Sequence, residues 1–315
     1  MKIRDTILHN LGWVIMIGTL IFGMIFVPYF SAPRNLINIL YHSSILGILV
    51  LAESLCLLSG NLDLSIESTL AMSVAIPALC MVKWFPSMPP GMGVGLTFLI
   101  GLLIGLTNGF FIVKMGINPL LMTLSMLIIL RGLMLYLVPM AIAGLPKEYL
   151  FIGGAPILDL PLPIVVLIGA YVFFYFVMKY TNFGRGVYAT GGNKIAAFTA
   201  GINTDGVVIS IFALSGLLAS VAGWIMVGRI ESVSNIMGEG MVFFAFAGAV
   251  LGGLSLKGGI GTISGAFSGV LLLGIIDNLL RLGDVSPYLV HALKGFLILI
   301  AITVDSFKRS KGIYF

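Results

Sequence analysis

The sequence predicts an all-α polytopic membrane protein with about ten transmembrane helices, some of them interrupted. Hydrophobic residues make up 59% of the 315 residues and charged residues only 9%, whereas a soluble domain carries about 25% charged residues. Apolar runs long enough to cross a hydrocarbon core of about 30 Å as a helix recur along the whole chain. The predicted spans are 11–30, 36–58, 66–83, 92–114, 119–138, 161–180, 206–228, 240–256, 260–281 and 288–306.

The distribution of charges predicts the orientation of these spans. Ten spans place both termini on one side of the membrane. With the N-terminus inside, ten Lys and Arg residues lie on the cytoplasmic side and five outside, while Arg131 and Lys294 fall within spans. Because cytoplasmic loops are enriched in Lys and Arg, we expect cytoplasmic N- and C-termini. The same enrichment accounts for the net charge of +5, and no nucleic-acid partner is expected.

The second and third spans are joined by a polar break with no true loop, SGNLDLS at 59–65. Asp63 or Ser65 can cap the helix that follows, and Glu67 adds negative charge near its positive end. One interpretation is a capped turn at the membrane surface. The other is a re-entrant corner near a transport path, because irregular backbone at membrane depth must be buried in protein or line a cavity.

Ionisable side chains within spans are costly, so each indicates either a structural ion pair, a side chain that reaches the interface, or a functional site. Glu53, Arg131, Asp277 and Lys294 belong to this class, and for Arg131 a structural pair is the favoured interpretation. The candidate residues for the path or the corner are Asn61, Asp63, Ser65, Glu53, Arg131, Asn108 and Asn278.

Neither an enzyme nor a metal protein is predicted. The chain has no phosphate-binding G-x-x-x-x-G-K-[ST] loop, no H-E-x-x-H and no G-x-S-x-G, which are the signatures of nucleotide, metal and acyl chemistry. His42 and His291 have no metal-ligand spacing, and Cys56 and Cys80 are interpreted as small buried hydrophobic residues. We therefore expect no cofactor and no metal in this chain.

An internal repeat is also predicted. LLSGNLDLSIESTLAMSVAIP at 57–77 and VLGGLSLKGGIGTISGAFSG at 250–269 each contain a glycine turn, a Leu-Ser or Leu-Asp-Leu-Ser sequence and a small-residue helix. Such duplications are common in transporters. Glycines spaced by four, as in 101–109, 248–252 and 261–269, let helix backbones approach closely, and we expect them to pack helices within one subunit.

The segment 181–205, between the sixth and seventh spans, contains FGRGVYATGGNKIAAFTAGI. Its glycines are expected to break the chain before a short helix, 194–200, which Asn193 caps and Gly201 terminates. Ala196 and Ala197 are small enough to take close contact with a partner. The alternative is a surface helix at the lipid headgroups, where Arg185 and Lys194 touch anionic lipid.

Five collinear blocks between about Asn35 and Asp305 resemble the permease subunits of bacterial ABC importers for ribose and related sugars, the branch that includes the autoinducer and galactofuranose permeases. The blocks are SGNLDLSIES, INPLLMTLSMLIILRGL, NFGRGVYATGGNKIAAFTAGI, ALSGLLASVAGWIMVGRI and VLGGLSLKGGIGTISGAFSG. Three positions depart from the family pattern: Lys194 stands where an acid is frequent, Glu67 where a small residue is common, and Ile260 where an Arg is common.

The resemblance implies one transmembrane permease domain, 1–315, in the bacterial cytoplasmic (inner) membrane. It implies three partners: a cytoplasmic ABC ATPase that uses ATP and Mg, a second permease copy (identical or not), and an extracytoplasmic substrate-binding protein. The residues that match the family's ATPase-coupling helix are Asn193, Ala196, Ala197, Gly201 and Ile202. The substrate would be a sugar or similar small polar metabolite. The alternative function is a stand-alone carrier driven by an ion gradient, with Glu53, Arg131 and Asp277 binding the coupling ion.

Overall fold

The structure is a computed structural model that describes residues 11–157 and 159–286, with 289–290, 292–293, 295–296, 299 and 303 beyond them. Its elements are almost all helices; the two short strands, β1 (Pro156–Ile157) and β2 (Leu160–Pro161), form one antiparallel hairpin. The helices are α1 (Leu11–Phe26), α2 (Pro33–Leu58), α3 (Ile66–Leu79), α4 (Pro90–Lys114), α5 (Pro119–Leu137), α6 (Lys147–Leu150), α7 (Leu162–Tyr180), α8 (Asn182–Gly192), α9 (Lys194–Thr199), α10 (Thr204–Ile230), α11 (Met241–Leu251) and α12 (Ile263–Leu282).

The prediction of a polytopic all-α membrane protein is confirmed at this level. Within the described residues, seven helices are long and apolar enough to cross a membrane: α2, α3 with its π-helical extension Cys80–Trp84, α4, α5, α7, α10 and α12. The first and eighth predicted spans are the shorter helices α1 and α11, with 16 and 11 residues. Most of the tenth, 288–306, lies outside the described residues, so the count of ten and the repeat remain predictions.

Helices α2 and α3 lie at the centre of the protein. Their most apolar windows are 72% and 83% buried, whereas the corresponding window of α5 is only 17% buried. Large apolar side chains on the outer helices point outward, including Ile128 and Ile129 of α5 and Phe173 of α7. Because lipid tails are as apolar as these side chains, an outward apolar surface is what a membrane-embedded helix presents.

The glycine spacing predicts helix packing correctly. Gly101 and Gly105 of α4 lie against the backbone of α10, with Gly105 facing the carbonyl of Phe212. Gly248 and Gly269 make the equivalent close contact between α11 and α12. A Cβ on Gly101, Gly105 or Gly269 would collide with the backbone of the facing helix, and one on Gly248 would collide with the Val50 side chain of α2, so glycine is required for packing inside the subunit.

Candidate functional site

The polar break between α2 and α3 turns its Ser59, Asp63 and Ser65 side chains into the protein, while Gly60 is exposed. Asp63 and Ser65 are 2% and 1% exposed. Asp63 accepts three hydrogen bonds: Oδ1 accepts from the Ser65 backbone N–H at 3.0 Å and from Ser65 Oγ at 2.6 Å, and Oδ2 accepts from Ser215 Oγ at 2.8 Å. These buried contacts favour a corner held inside the protein, and its depth in the membrane remains a prediction; we call it the α2–α3 corner (residues 59–65).

The capping prediction for this corner is wrong for Ser65, whereas the Asp63 side chain accepts from the backbone N–H of Ser65 immediately before α3. Ser65 is the N-cap of α3, but its side chain makes no cap hydrogen bond. Its hydroxyl donates to Asp63 and accepts from Asn108 Nδ2 of α4 at 2.9 Å. Since Asp63 also accepts from Ser215 of α10, these polar side chains join the corner to α4 and α10.

Glu53 lies one turn before the end of α2 and is 1% exposed. Neither of its carboxyl oxygens makes a hydrogen bond of normal geometry with a described residue, although the Asp63 backbone lies beside it. The structure thus brings together four of the predicted path residues, Glu53, Asp63, Ser65 and Asn108.

Truncation of Asp63 is expected to destabilise the corner. In Asp63→Ala, the Ser215 hydroxyl and the Ser65 N–H lose their acceptor in a buried site, which costs about 1–3 kcal/mol for each stranded group. Asp63→Asn keeps one acceptor oxygen and should cost less. Thermal unfolding of the two purified variants in detergent measures the difference, and an Asp63→Ala variant as stable as Asp63→Asn would contradict this assignment.

Arg131 lies elsewhere, in a structural site made of Glu67 and two backbone carbonyls. Its NH2 pairs with Glu67 Oε1 at 3.2 Å, and its NH1 donates to the carbonyls of Asn235 and Met237 at 2.9 and 3.1 Å. Glu67 Oε2 also accepts from the backbone N–H of Val242 at the start of α11. This geometry matches the favoured interpretation, a structural pair. The Arg131 guanidinium donates to groups of this chain in all three contacts.

Asn278 also makes its hydrogen bonds within the chain. It exchanges two hydrogen bonds with Asn35, at 2.9 and 3.0 Å. Asn35 stands at the beginning of α2, which has 26 residues and is therefore about 39 Å long at about 1.5 Å per residue. Asn278 thus lies at the opposite end of α2 from the corner, and the structure does not join it to Asp63.

The short helix in the segment 181–205 is capped as the sequence predicts. The Asn193 side chain accepts from the Ala196 N–H at 3.0 Å, and Gly201 has a φ of +85°. The N–H groups of Gly201 and Ile202 donate to the carbonyls of Phe198 and Ala197. These two bonds form a Schellman motif. Both ends of α9 therefore have capping hydrogen bonds.

The surface of α9 differs from the prediction. Ala197 is only 5% exposed, so it packs against its own chain and does not offer its side chain to a partner. Ala196 is exposed, and the exposed large apolar side chains of α9 are Ile195, at 78%, and Phe198, at 69%. Lys194, at the position where an acid is frequent, forms an exposed ion pair with Asp205 of α10 at 3.5 Å.

The glycines before α9 do not break the chain, because residues 182–192 form the helix α8. Its N-terminus is capped by Thr181, whose hydroxyl accepts from the Gly184 N–H at 3.2 Å. Gly184 lies against the carbonyl of Met178, and Gly191 lies against the carbonyl of Leu58. These glycines allow the backbones to approach closely. In the sequence alone, glycines with this role cannot be told from glycines that interrupt a helix.

Three segments that are distant in sequence meet at Gly191. A Cβ there would collide with the Leu58 carbonyl oxygen and approach the Gly259 nitrogen to 2.7 Å. The Gly259 N–H donates to the same Leu58 carbonyl at 3.0 Å, and Gly258 lies against Gly60. We call this contact between the end of α8, the α2–α3 corner and residues 258–259 the glycine junction. It joins the first and second copies of the predicted repeat directly to the α8–α9 segment.

A cavity of about 490 Å³ adjoins the glycine junction. It is lined by residues 59–61 of the corner, by the α4–α5 turn, by residues 190–194 and by Lys257. We call it the corner cavity. Near it, the Tyr188 hydroxyl donates to the Gly261 carbonyl at 3.1 Å, and burial raises the pKa of Tyr188. The two predicted sites, the corner and the α8–α9 segment, are therefore neighbours.

Two residues of this site were not identified from the sequence. Ser215 binds Asp63 from 152 positions away, and Thr123 Oγ1 accepts from the Leu64 N–H at 3.1 Å. Both are small hydroxyl residues within apolar spans, where they look like packing residues. In the described part of the chain, no three His, Cys, Asp or Glu side chains come together in a way that would hold a metal ion.

Comparison with known proteins places the whole arrangement in context. Residues 35–302 match the family described as "Branched-chain amino acid transport system / permease component". The chain is 35% identical over 286 residues to the ribose import permease protein RbsC of Bacillus subtilis (strain 168), covering 90% of this chain and 88% of that protein. It is 35% identical over 286 residues to the L-arabinose transport system permease protein AraH of Escherichia coli (strain K12), covering 90% and 86%.

The ribose import permease protein RbsC of Escherichia coli (strain K12) is 34% identical over 288 residues, covering 90% of this chain and 88% of that protein. No solved structure matches the chain significantly.

Proposed function

The chain belongs to the family of branched-chain amino acid transport system permease components, and on that premise we propose that it forms the translocation path of an ATP-binding cassette importer for a sugar. It is a multi-pass transport subunit and not an enzyme. A sugar is favoured over an amino acid because the relatives named for ribose and arabinose are 34–35% identical to this chain, over alignments that cover 90% of it.

The observation that carries the proposal is the glycine junction. In the proposed assembly, a cytoplasmic ATPase binds α9 through Ile195 and Phe198, which are exposed apolar side chains on a helix with satisfied ends. Movement of α9 would reach the α2–α3 corner through one backbone contact, Gly191 against the Leu58 carbonyl. Because close-packed interiors have low compressibility and transmit strain, this contact would pass a displacement of the α8–α9 segment to the corner.

The candidate residues then take distinct roles. Asn193, Gly201 and Ile202 cap α9, Ala197 packs the helix against its own chain, and Ala196 leaves room for the partner beside Phe198. Asn61, Asp63, Ser65, Asn108 and Glu53 form or adjoin the corner beside the path. Arg131 and Asn278 hold helices together through Glu67 and Asn35.

The remaining parts of the assembly follow the same premise. The path would form between this chain and a second permease copy, identical or not, and a binding protein would deliver the sugar to the outer face. The partner ATPase would use ATP and Mg. With α9 at the cytoplasmic face of a bacterial inner membrane, both termini are expected in the cytoplasm, as the Lys and Arg distribution predicts.

The alternative, a carrier driven by an ion gradient, has less support. It needs Glu53, Arg131 and Asp277 to bind an ion together. Arg131 instead pairs with Glu67, and Asp277 pairs with Arg281 one turn along α12 at 2.8 Å. Arg131 and Asp277 are thus each paired with another residue and not with Glu53, and the relatives are named as permease proteins of a ribose importer and of an arabinose transport system.

Reconstitution distinguishes the two functions. We expect liposomes that contain this chain, its ATPase and its binding protein to take up ribose or arabinose only when ATP is inside. Liposomes that contain this chain alone should take up neither sugar. Uptake by the chain alone that an ionophore abolishes would contradict the importer and support the carrier.

A further inference from the structure

Glu53 places a carboxyl group inside the protein without a compensating charge. The residue is 1% exposed, and neither carboxyl oxygen has a hydrogen-bond partner among the described residues. No Lys, Arg or His forms an ion pair with it in that part of the chain. An isolated ionised carboxylate is so costly to bury that such a group takes up a proton and becomes neutral.

Asp63 adds a like charge beside Glu53, and hydrogen bonds decide which of the two carboxyl groups is neutral. Asp63 accepts from the Ser65 N–H, the Ser65 hydroxyl and the Ser215 hydroxyl, and hydrogen bonds to the charged form favour ionisation. Glu53 accepts from none of these donors. Since two carboxylates in one buried site are not both ionised at low cost, the proton belongs on Glu53.

The helices that pack against α2 do not supply a cation to Glu53 in the described part of the chain. α11 has no ionisable side chain. On α10, Ser215 marks the level of the corner, and Asp205 and Arg229 lie about 15 Å and about 21 Å from it along the helix. The ionisable side chains of the other packed helices each contact another group of the chain: Glu67 on α3, Tyr171, Tyr175, Lys179 and Tyr180 on α7, Arg185 and Tyr188 on α8, and Asp277 and Arg281 on α12.

The hydrogen-bond donors around the corner are also one proton short. Asn108 donates through Nδ2 to Ser65, but its Oδ1 is buried without a partner among the described residues. Together with the two oxygens of Glu53, three buried acceptor atoms are left without a donor. Buried polar groups nearly always have partners, and a proton on Glu53 turns one of these acceptors into a donor.

We propose that Glu53 carries a proton while the α2–α3 corner is closed and releases it to water when the corner opens, so that the corner is a proton-controlled latch. In the closed corner, a neutral acid lies beside the ionised Asp63. When water reaches Glu53, the carboxyl ionises, because a hydrated glutamic acid is ionised at neutral pH. Two like charges then oppose closing until a proton returns. Alkaline conditions therefore favour the open corner.

Infrared spectroscopy of the purified chain tests the protonation directly and requires neither an ATPase nor transport, so its result is independent of the importer proposal. At neutral pH, the wild type should show the carbonyl band of a buried protonated carboxylic acid, and Glu53→Gln should lack it. Glu148→Gln is the matched control, since Glu148 is exposed, and it should keep the band. A wild type without the band has an ionised Glu53 that holds a cation, and a band that persists in Glu53→Gln belongs to another carboxyl group; either result overturns the proposal.

The thiol of Cys56 reports the opening of the latch. Cys56 is 0% exposed and lies one turn after Glu53 on α2. The chain has two cysteines, so Cys80→Ala leaves Cys56 as the single target for N-ethylmaleimide. In this background, the labelling rate with Glu53 intact, divided by the rate in Glu53→Gln at the same pH, should rise about tenfold per pH unit above neutral, because opening releases one proton. The division removes the pH dependence of the thiol itself. A ratio that does not change with pH overturns the latch even where the infrared band is present.

Equilibrium unfolding by sodium dodecyl sulfate in mixed micelles decides the outcome where the folded chain admits no label. The folded protein holds a proton on Glu53 and the unfolded chain does not, so stability falls as the pH rises. The unfolding constant of the wild type should increase about tenfold per pH unit above neutral relative to that of Glu53→Gln. Because glutamine has the shape of the neutral acid, Glu53→Gln should fold as the wild type does. Parallel pH profiles of the two proteins would show that Glu53 binds no proton in the folded state.

Discussion

Replacing Gly191 by alanine is expected to abolish transport and to destabilise the protein severely. The new Cβ would overlap the carbonyl oxygen of Leu58 and lie 2.7 Å from the nitrogen of Gly259. Both neighbours are backbone atoms joined by their own hydrogen bond, so neither can move without breaking the glycine junction. Overpacking in a well-packed interior costs about 1–3 kcal/mol when side chains yield, and here we expect more.

The neighbouring residue is the control. Gly192 lies on the same helix, but a Cβ there would meet nothing within 4 Å. Gly192→Ala should therefore keep both the melting temperature in detergent and the rate of sugar uptake near those of the wild type. Equal behaviour of Gly191→Ala and Gly192→Ala would show that the junction tolerates expansion and carries no displacement.

Removal of Arg131 has the second large effect. Arg131→Met leaves the Glu67 carboxylate, whose side chain is only 6% exposed, without its partner. It also leaves the carbonyls of Asn235 and Met237 without their donor. Breaking a buried pair from one side costs about 3–5 kcal/mol, because an uncompensated charge remains. Thermal unfolding of the purified variant in detergent should show this loss directly.

The double variant Glu67→Gln with Arg131→Met separates the lost pair from the stranded charge. With no charge left to strand, the part of the loss that the buried Glu67 charge causes should return, because buried pairs themselves contribute little net stability, while the carbonyls of Asn235 and Met237 still lack their donor. If the double variant is as unstable as Arg131→Met alone, then the two residues do not act as a pair and Arg131 has another role.

The sequence predicts the helices and their close contacts well because both depend on local or simple rules. A run of apolar residues must form a helix to satisfy its backbone in lipid, and glycines spaced by four predict the α4–α10 and α11–α12 contacts. The caps of α9 are also local, since Asn193 and Gly201 bind backbone within a few residues. These features need no knowledge of the tertiary structure.

The partners of the polar side chains were not predictable in this way. The local pattern allows Asp63 or Ser65 to cap α3, but it does not reveal that Ser215 of α10 donates to Asp63 or that Glu67 pairs with Arg131 across 64 positions. The glycines of α8 were expected to break the chain, but they face backbone that only the tertiary fold brings near. Likewise, the small side chain of Ala197 is compatible with a contact to a partner and with packing against its own chain, and the sequence does not distinguish the two; in the structure it is 5% exposed.

The most direct test of the importer proposal is whether an ATPase co-purifies with this chain through α9. The tagged wild type, Phe198→Asp and Met115→Asp are purified from membranes in mild detergent, and the bound ATPase is quantified. Phe198 is 69% exposed on α9, and Met115 is 64% exposed on the α4–α5 turn, so the same apolar-to-acid change is made at both. We predict that the ATPase is retained by the wild type and Met115→Asp and is lost from Phe198→Asp. An ATPase that stays bound to Phe198→Asp, or that never accompanies the wild type, would contradict coupling through this helix.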